Sequence, residues 1–69
     1  MLIVDSKKFR RALIKRGLDI KNLAKEAKVA AYTVAQLKNQ NCRVHYSTLH
    51  RLLKVLECEP EEILIDDEL

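Results

Sequence analysis

The sequence contains few of the residues that interrupt helices, stack on bases or cross-link secreted proteins. Its 69 residues include one glycine, one proline, three aromatic residues and two cysteines. Because glycine and proline are scarce, the chain has few of the turns that separate strands, and we expect it to be mainly helical. Three aromatic residues are too few for the stacking platform of proteins that bind single-stranded nucleic acid. Cys42 and Cys58 are too few for a disulfide framework, so we expect reduced thiols.

Further absences exclude whole classes of protein. No apolar run approaches the ~20 residues of a membrane span, and the apolar start is too short for a signal peptide, so a cytoplasmic protein is expected. The chain has no glycine-rich phosphate loop and no nucleophile matched with a base, so we predict no enzymatic activity and no cofactor. A metal site is not expected, because the spacing of the four candidate ligands is poor for zinc. These ligands are Cys42, His45, His50 and Cys58.

The charges of the chain are sharply segregated. Residues 6–56 hold all 13 Lys and Arg but only two acids, whereas residues 57–69 hold seven acids and no base. A body this basic indicates a polyanionic partner, with nucleic acid the leading candidate. The acidic segment 57–69 is expected to lie away from that contact. The alternative is a solvated basic surface with an acidic tail.

The length of 69 residues predicts a single domain, residues 1–69, and the apolar periodicity predicts five helices within it. Asp5 or Ser6 caps the first helix and Gly17 ends it, while Asp19 caps the second. Pro60 begins a fifth, brief helical turn, and the polar segment 39–43 reads as a loop. The inner-face positions follow helical spacing. They are Phe9, Ala12, Leu13, Leu23, Ala24, Ala27, Val34, Leu37, Leu49, Leu52, Leu53 and Leu56.

Short apolar segments, rich in β-branched residues, lie near both ends of the sequence. They are Leu2-Ile3-Val4 and Ile63-Leu64-Ile65. One interpretation is that they pair as a two-stranded ribbon, within one chain or across a dimer. The other is that each packs as irregular chain against the helices.

The stretch 20–39, IKNLAKEAKVAAYTVAQLKN, has the pattern of a helix-turn-helix. Two short helices are joined by a tight turn, and Ala24 is small where the helices cross closely. In such a unit the first helix braces the second, which lies in the major groove of DNA.

Over residues 8–64 the chain resembles the Cro and phage-repressor class of helix-turn-helix proteins, the XRE family. The resemblance runs through RGLDIKNLAKEAKV, the third helix and STLHRLLKVLECEPEEIL. It implies an all-α, compact, five-helix fold of the lambda-repressor type, with the recognition helix at residues 31–39.

The sequence departs from the family pattern at five positions. Lys28 stands where a left-handed turn usually carries glycine, and Ala30 cannot cap the third helix as Ser or Thr would. Ile20 replaces a glutamine that often binds a phosphate. Leu13 and Lys38 occupy the positions of an Arg–Glu pair that is therefore absent.

The resemblance also implies which residues contact DNA. The base-contacting residues map to Ala31, Tyr32, Ala35 and Gln36, although Tyr32 has the alternative of being a partly buried core aromatic. The expected phosphate contacts, each of which has the alternative of a solvated group, are Lys21, Thr33, Lys38, Asn39, Asn41 and Arg43.

The expected function is that of a sequence-specific regulator of transcription that binds double-stranded DNA. A repressor acting as a homodimer, prokaryotic or phage-encoded, is the usual form in this class. The expected dimer interface is Ile63, Leu64 and Ile65. The alternative is an adaptor or antitoxin-type module that binds a protein partner through segment 57–69.

Overall fold

The computed structural model describes residues 2–65, and the helices gather around one apolar core. The elements in chain order are β1 (Leu2–Val4), α1 (Ser6–Arg16), α2 (Ile20–Ala27), α3 (Ala31–Asn39), β2 (Cys42–Val44), α4 (Tyr46–Leu56) and a 3₁₀ turn (Pro60–Glu62). The fold is mostly helical, as expected. The predicted count of five helices is not confirmed, since residues 2–65 form four α-helices, and Pro60 begins only a three-residue 3₁₀ turn.

The ends of α1 and α2 follow the local signals in the sequence. Asp5 Oδ1 accepts hydrogen bonds from the backbone N–H groups of Lys7 at 2.9 Å and Lys8 at 3.4 Å. Asp19 Oδ1 accepts one from Asn22 N at 2.8 Å. Each carboxylate satisfies amides that the first turn leaves without a partner. Gly17 ends α1 with a left-handed φ of 68°, which confirms the predicted boundaries of this helix.

The core receives side chains from every helix and from both ends of the chain. Its largest fully buried members are Phe9, Leu23, Leu37, Leu52, Leu56, Ile63, Leu64, Val4 and Val34. The residues predicted to face inward are buried, except Leu53, which is half-buried. Removing these groups from water is the main force that holds so short a chain together.

A small sheet joins the start of the chain to the segment after α3. β1 and β2 pair antiparallel, with Leu2 opposite Val44 and Val4 opposite Cys42. The prediction of a loop over residues 39–43 is therefore wrong at its end, because β2 begins at Cys42. The polar neighbours hid this strand, whose alternation places Val44 inward and Arg43 outward.

The two chain ends also meet within one chain, as one of the two interpretations expected. Val4 and Leu64 form an isolated antiparallel bridge. Asp5 N donates to the carbonyl oxygen of Ile63 at 2.8 Å, and Ile65 N donates to that of Ile3 at 3.1 Å. β1 thus lies between β2 and the C-terminal segment 63–65. The contact between the two chain ends is therefore one of two contacts that β1 makes with neighbouring extended segments.

Candidate nucleic-acid interface

The helix-turn-helix is formed by α2 and α3, which cross closely over small buried residues. Ala24 and Ala27 are buried on the inner side of α2, beside Leu23. Alanine adds little beyond its Cβ, so a second helix can approach closely at these positions. Ala24 is buried, as the predicted close crossing requires.

The turn between the two helices depends on a strained lysine. Lys28 ends α2 with a φ of 58°, in the left-handed region where glycine is favoured. Val29 N donates to the carbonyl oxygen of Ala24 at 3.1 Å and closes the turn. Arg51 of α4 donates from Nη1 to the carbonyl oxygen of Lys28 at 3.5 Å. The expected conformation of Lys28 is confirmed, and the contact from Arg51 joins α4 to this turn.

The start of α3 has no side-chain cap, as the sequence predicts. Ala30 precedes the helix in an extended conformation. Its side chain has no oxygen that could accept a hydrogen bond from the first-turn N–H groups. The first-turn amides of a helix otherwise need water or a ligand, and they carry partial positive charge. The first turn of α3 therefore offers polar N–H groups on the outside of the protein.

One face of α3 is buried and the opposite face is open. Val34 and Leu37 lie in the core, at 0% and 1% exposure. Tyr32 is 72% exposed, which excludes its alternative interpretation as a core aromatic. Ala31 is exposed, and Ala35 and Gln36 are half-buried. The four residues expected to contact bases therefore share one accessible face of α3.

Two of these residues are bonded to each other. Gln36 Nε2 donates to the Tyr32 hydroxyl oxygen at 2.8 Å. The pair is spaced i, i+4, so the side chains lie one above the other on the helix surface. The sequence places the two residues on one face but does not by itself reveal this bond.

Lys38 lies in a shallow apolar cleft between α1, α3 and the start of α2. The cleft also contains Arg10 of α1, Ile20 at the first position of α2, and Asp19. Lys21 is exposed in the first turn of α2, Thr33 is half-buried and Asn39 is exposed at the end of α3. Sequence reasoning missed Arg10 as a neighbour of Lys38, because that proximity depends on how α1 packs on α3.

The remaining two expected phosphate contacts lie beside the small sheet. Asn41 Oδ1 accepts a hydrogen bond from Ser6 N at 2.9 Å, so its side chain links the end of α3 to the start of α1. Arg43 is exposed on β2, opposite Ile3. The structural role of Asn41 could not be predicted from local sequence signals, because Ser6 lies far from it along the chain.

The described part of the acidic segment, residues 57–65, contacts cations of α1. Lys15 Nζ lies 3.7 Å from Glu62 Oε1, and Arg16 Nη2 lies 3.3 Å from Glu57 Oε2. Lys8 Nζ donates to the carbonyl oxygen of Leu64 at 3.0 Å. These acids thus lie against α1, on the side expected to be remote from DNA. Exposed ion pairs of this kind contribute little stability.

The two cysteines occupy different surroundings. Cys42 Sγ donates to the carbonyl oxygens of Gln40 at 3.4 Å and Gln36 at 3.5 Å, which ties β2 to the last turn of α3. Burial raises the pKa of the Cys58 thiol above its usual 9.0, and the nearby Glu62 raises it further. Cys58 is half-buried against the core rather than fully inside it.

The residues expected to form the dimer interface are mostly used inside the protomer. Ile63 and Leu64 are 0% and 1% exposed and fill the core. Ile65 alone of the three is half-buried. A dimer contact made by all three side chains would require two of them to leave their own core.

Comparison with known proteins assigns the chain to a family. The model of the Cro/C1-type helix-turn-helix DNA-binding domain matches residues 8–68, nearly the whole chain. The protein therefore belongs to this family, and the resemblance seen in the sequence is confirmed. Neither the curated proteins nor the solved structures contain a significant match. Within the described residues 2–65, none of the helices is long and apolar enough to cross a membrane.

Proposed function

We propose that this Cro/C1-type protein is a transcriptional repressor that recognises a specific sequence in double-stranded DNA with α3. The observation that carries the proposal is the open face of α3, on which Tyr32 is exposed and Gln36 half-buried beside it. The major groove of B-DNA is wide enough to admit one α-helix, and its base edges present a distinct pattern for each base pair. Occupying a promoter would block transcription.

The side chains of the open face suit a helix that approaches bases closely. Gln36 has both a donor and an acceptor and pairs with adenine, a contact that discriminates by about 1–3 kcal/mol. Ala31 and Ala35 leave room for the groove floor and present methyl groups to thymine. Tyr32 contributes an aromatic ring and a hydroxyl group at the start of the helix.

The surrounding polar groups are proposed to hold the phosphates. Lys38 of α3 and Arg10 of α1 line the same cleft near the start of α2, where Lys21 is also exposed, and these three cations favour an anion. Contacts from these positions fix the register of α3 without reading sequence. We assign the same role to four more residues. They are Thr33, Asn39, Asn41 and Arg43.

We further propose that two copies bind together on two half-sites. One such module contacts few base pairs, and dimers of this class place two recognition helices about 34 Å apart. Ile65 is the predicted interface residue that retains surface, and it lies next to Ile3, itself half-buried. The alternative of a protein adaptor finds no favourable observation here, because two of the apolar residues it would use are buried.

Selection from a random pool of duplex DNA tests this proposal. We expect a palindromic consensus, because a two-fold dimer presents the same surface to both half-sites. A single unrepeated half-site would contradict the dimer but support the DNA-binding function. Recovery of no consensus would contradict sequence-specific binding.

The salt dependence of binding provides an independent measurement. If the four cations assigned to phosphates, Arg10, Lys21, Lys38 and Arg43, each neutralise one phosphate, the affinity for a half-site falls roughly 10²-fold between 50 and 200 mM salt. Lys38→Ala should lower the slope of affinity against salt concentration by about one phosphate. The control Lys54→Ala, on the exposed side of α4, should leave the slope unchanged. A flat dependence in the unmodified protein would contradict the proposed interface.

A further inference from the structure

The hydrogen bond between Tyr32 and Gln36 changes what the open face of α3 can recognise. Gln36 Nε2 donates to the Tyr32 hydroxyl oxygen at 2.8 Å. We infer that Tyr32 is a positioning residue that makes Gln36 select adenine over guanine. This inference rests on the proposed function, because it concerns how the same face reads a base.

The donors and acceptors of Gln36 can be counted. A glutamine amide has two N–H donors on Nε2 and one carbonyl oxygen, Oε1. Tyr32 engages one of the two donors, and between residues 2 and 65 the side-chain amide makes no second hydrogen bond. One N–H and the oxygen therefore remain to face a base. They point in the same direction when Tyr32 engages the N–H that lies anti to Oε1, which is the arrangement that the inference requires.

This remaining pair matches adenine and not guanine. In the major groove adenine presents the acceptor N7 beside the donor N6–H₂, which complements one N–H and one oxygen. Guanine presents two acceptors, N7 and O6. To bind both, Gln36 would need both of its N–H groups, one of which Tyr32 already holds. Its oxygen would otherwise face O6, and two acceptors repel each other.

The surroundings of the pair support a fixed geometry on an accessible surface. Tyr32 is 72% exposed, so burial does not force its hydroxyl group to form a hydrogen bond with Gln36. The backbone carbonyl of Gln36 is itself bonded to Cys42 Sγ at 3.5 Å, which restrains that turn of the helix. When Tyr32 accepts from Gln36, its own O–H proton points elsewhere and remains able to donate to a phosphate or a neighbouring base.

Replacing the hydroxyl group alone tests the inference. Tyr32→Phe keeps the ring and frees the second N–H of Gln36. The measurement is the ratio of affinities for the selected duplex with adenine and with guanine at the base pair that depends on Gln36. That pair is the one at which Gln36→Ala abolishes the preference. We expect Tyr32→Phe to lower the ratio about fivefold, the value of one ordinary hydrogen bond.

Matched variants separate positioning from other roles. Tyr46→Phe removes a hydroxyl from the other exposed tyrosine, at the start of α4, and should leave the ratio unchanged. In a Gln36→Ala background, Tyr32→Phe should have no further effect. If Tyr32→Phe changed the ratio in either direction there, Tyr32 would read the base itself and the inference would be overturned.

Measurements on the free protein show whether the bond exists. The side-chain amide proton resonances of Gln36 should differ between the unmodified protein and Tyr32→Phe, while both melt at the same temperature. Identical resonances would overturn the inference. An unchanged adenine-to-guanine ratio in Tyr32→Phe, with a consensus still selected, would overturn it but leave the proposed function intact. If the unmodified protein selected no duplex, the proposed function would fail and this inference with it.

Discussion

Asn41 Oδ1 accepts a hydrogen bond from Ser6 N at 2.9 Å, which joins the segment after α3 to the first residue of α1. The same asparagine is assigned a phosphate contact under the proposed function. A side chain with two roles affects both stability and binding when it is removed. Two substitutions that treat its oxygen differently distinguish these roles.

Asn41→Ala removes the acceptor of Ser6 N and should lower the free energy of unfolding by about 1–2 kcal/mol. Asn41→Asp keeps an acceptor there, and its charge is favourable near the start of a helix. Its stability should therefore stay close to that of the unmodified protein. The same charge repels phosphate, so Asn41→Asp should weaken binding to all duplexes alike. Denaturant unfolding and duplex titrations check both statements, and unchanged duplex binding by Asn41→Asp would contradict the phosphate contact.

Lys28→Gly should stabilise the protein. Lys28 holds a φ of 58°, which costs a residue with a Cβ about 1 kcal/mol relative to glycine. The free energy of unfolding should rise by about that amount, which raises the melting temperature by roughly 4–8 °C in a domain of this size.

Gly17→Ala is the matched opposite. Gly17 has a φ of 68°, and a Cβ there would meet nothing within 4 Å. The substitution therefore adds backbone strain without a clash and should lower the melting temperature by a similar amount. If both substitutions shifted it in the same direction, left-handed strain would not be the cause.

Gln36→Ala and Lys38→Ala should weaken DNA binding in different ways. Gln36 faces outward from α3, and its loss should relax the preference at one base pair, by about 1–3 kcal/mol. Lys38 lies beside the start of α2, and its loss should reduce affinity for every duplex and lower the salt dependence by about one phosphate. Titration against the consensus and against single-pair variants checks this. Equal effects on all sequences from both substitutions would contradict the assignment of α3 to the groove.

The stability of the protein should fall at alkaline pH in part through Cys58. Burial raises the pKa of this thiol above 9.0 in the folded state, so the folded chain retains the proton longer than the unfolded chain. The contribution is fully present below the unfolded pKa and is lost as the pH rises through the folded pKa. Cys58→Ser should reduce this alkaline loss, as measured by denaturant unfolding between pH 8 and about 10. An identical pH dependence in Cys58→Ser would contradict the shift.

Local signals in the sequence predict the helices. Contacts between segments that are distant along the chain could not be predicted from those signals. Asp5, Gly17 and Asp19 define the ends of helices through hydrogen bonds to residues only a few positions away. These boundaries can therefore be predicted from the sequence. The sequence predicts a loop over residues 39–43, although β2 begins at Cys42, because the partner strand β1 lies about 40 residues earlier in the chain. A strand of three residues has too little alternation to be recognised without that partner.

The same distinction applies to the candidate site. Helical spacing places Val34 and Leu37 inward, and the resemblance to the family implies that Ala31, Tyr32, Ala35 and Gln36 face outward, so this division of α3 was predictable. The burial of Ile63 and Leu64 was not, because an apolar segment after a turn can cover its own core or a second copy. The bond between Asn41 and Ser6 likewise depends on packing between distant segments.

The central claim is that the open face of α3 reads base edges in the major groove. Replacing adenine by 7-deaza-adenine in the selected duplex removes the N7 acceptor from that groove and leaves the minor groove and the phosphates unchanged. Titration of the unmodified protein should show a loss of about 1 kcal/mol at the pair read by Gln36, the value of one ordinary hydrogen bond, and Gln36→Ala should show none there. Equal binding to the natural and the 7-deaza duplexes at every adenine would contradict the account.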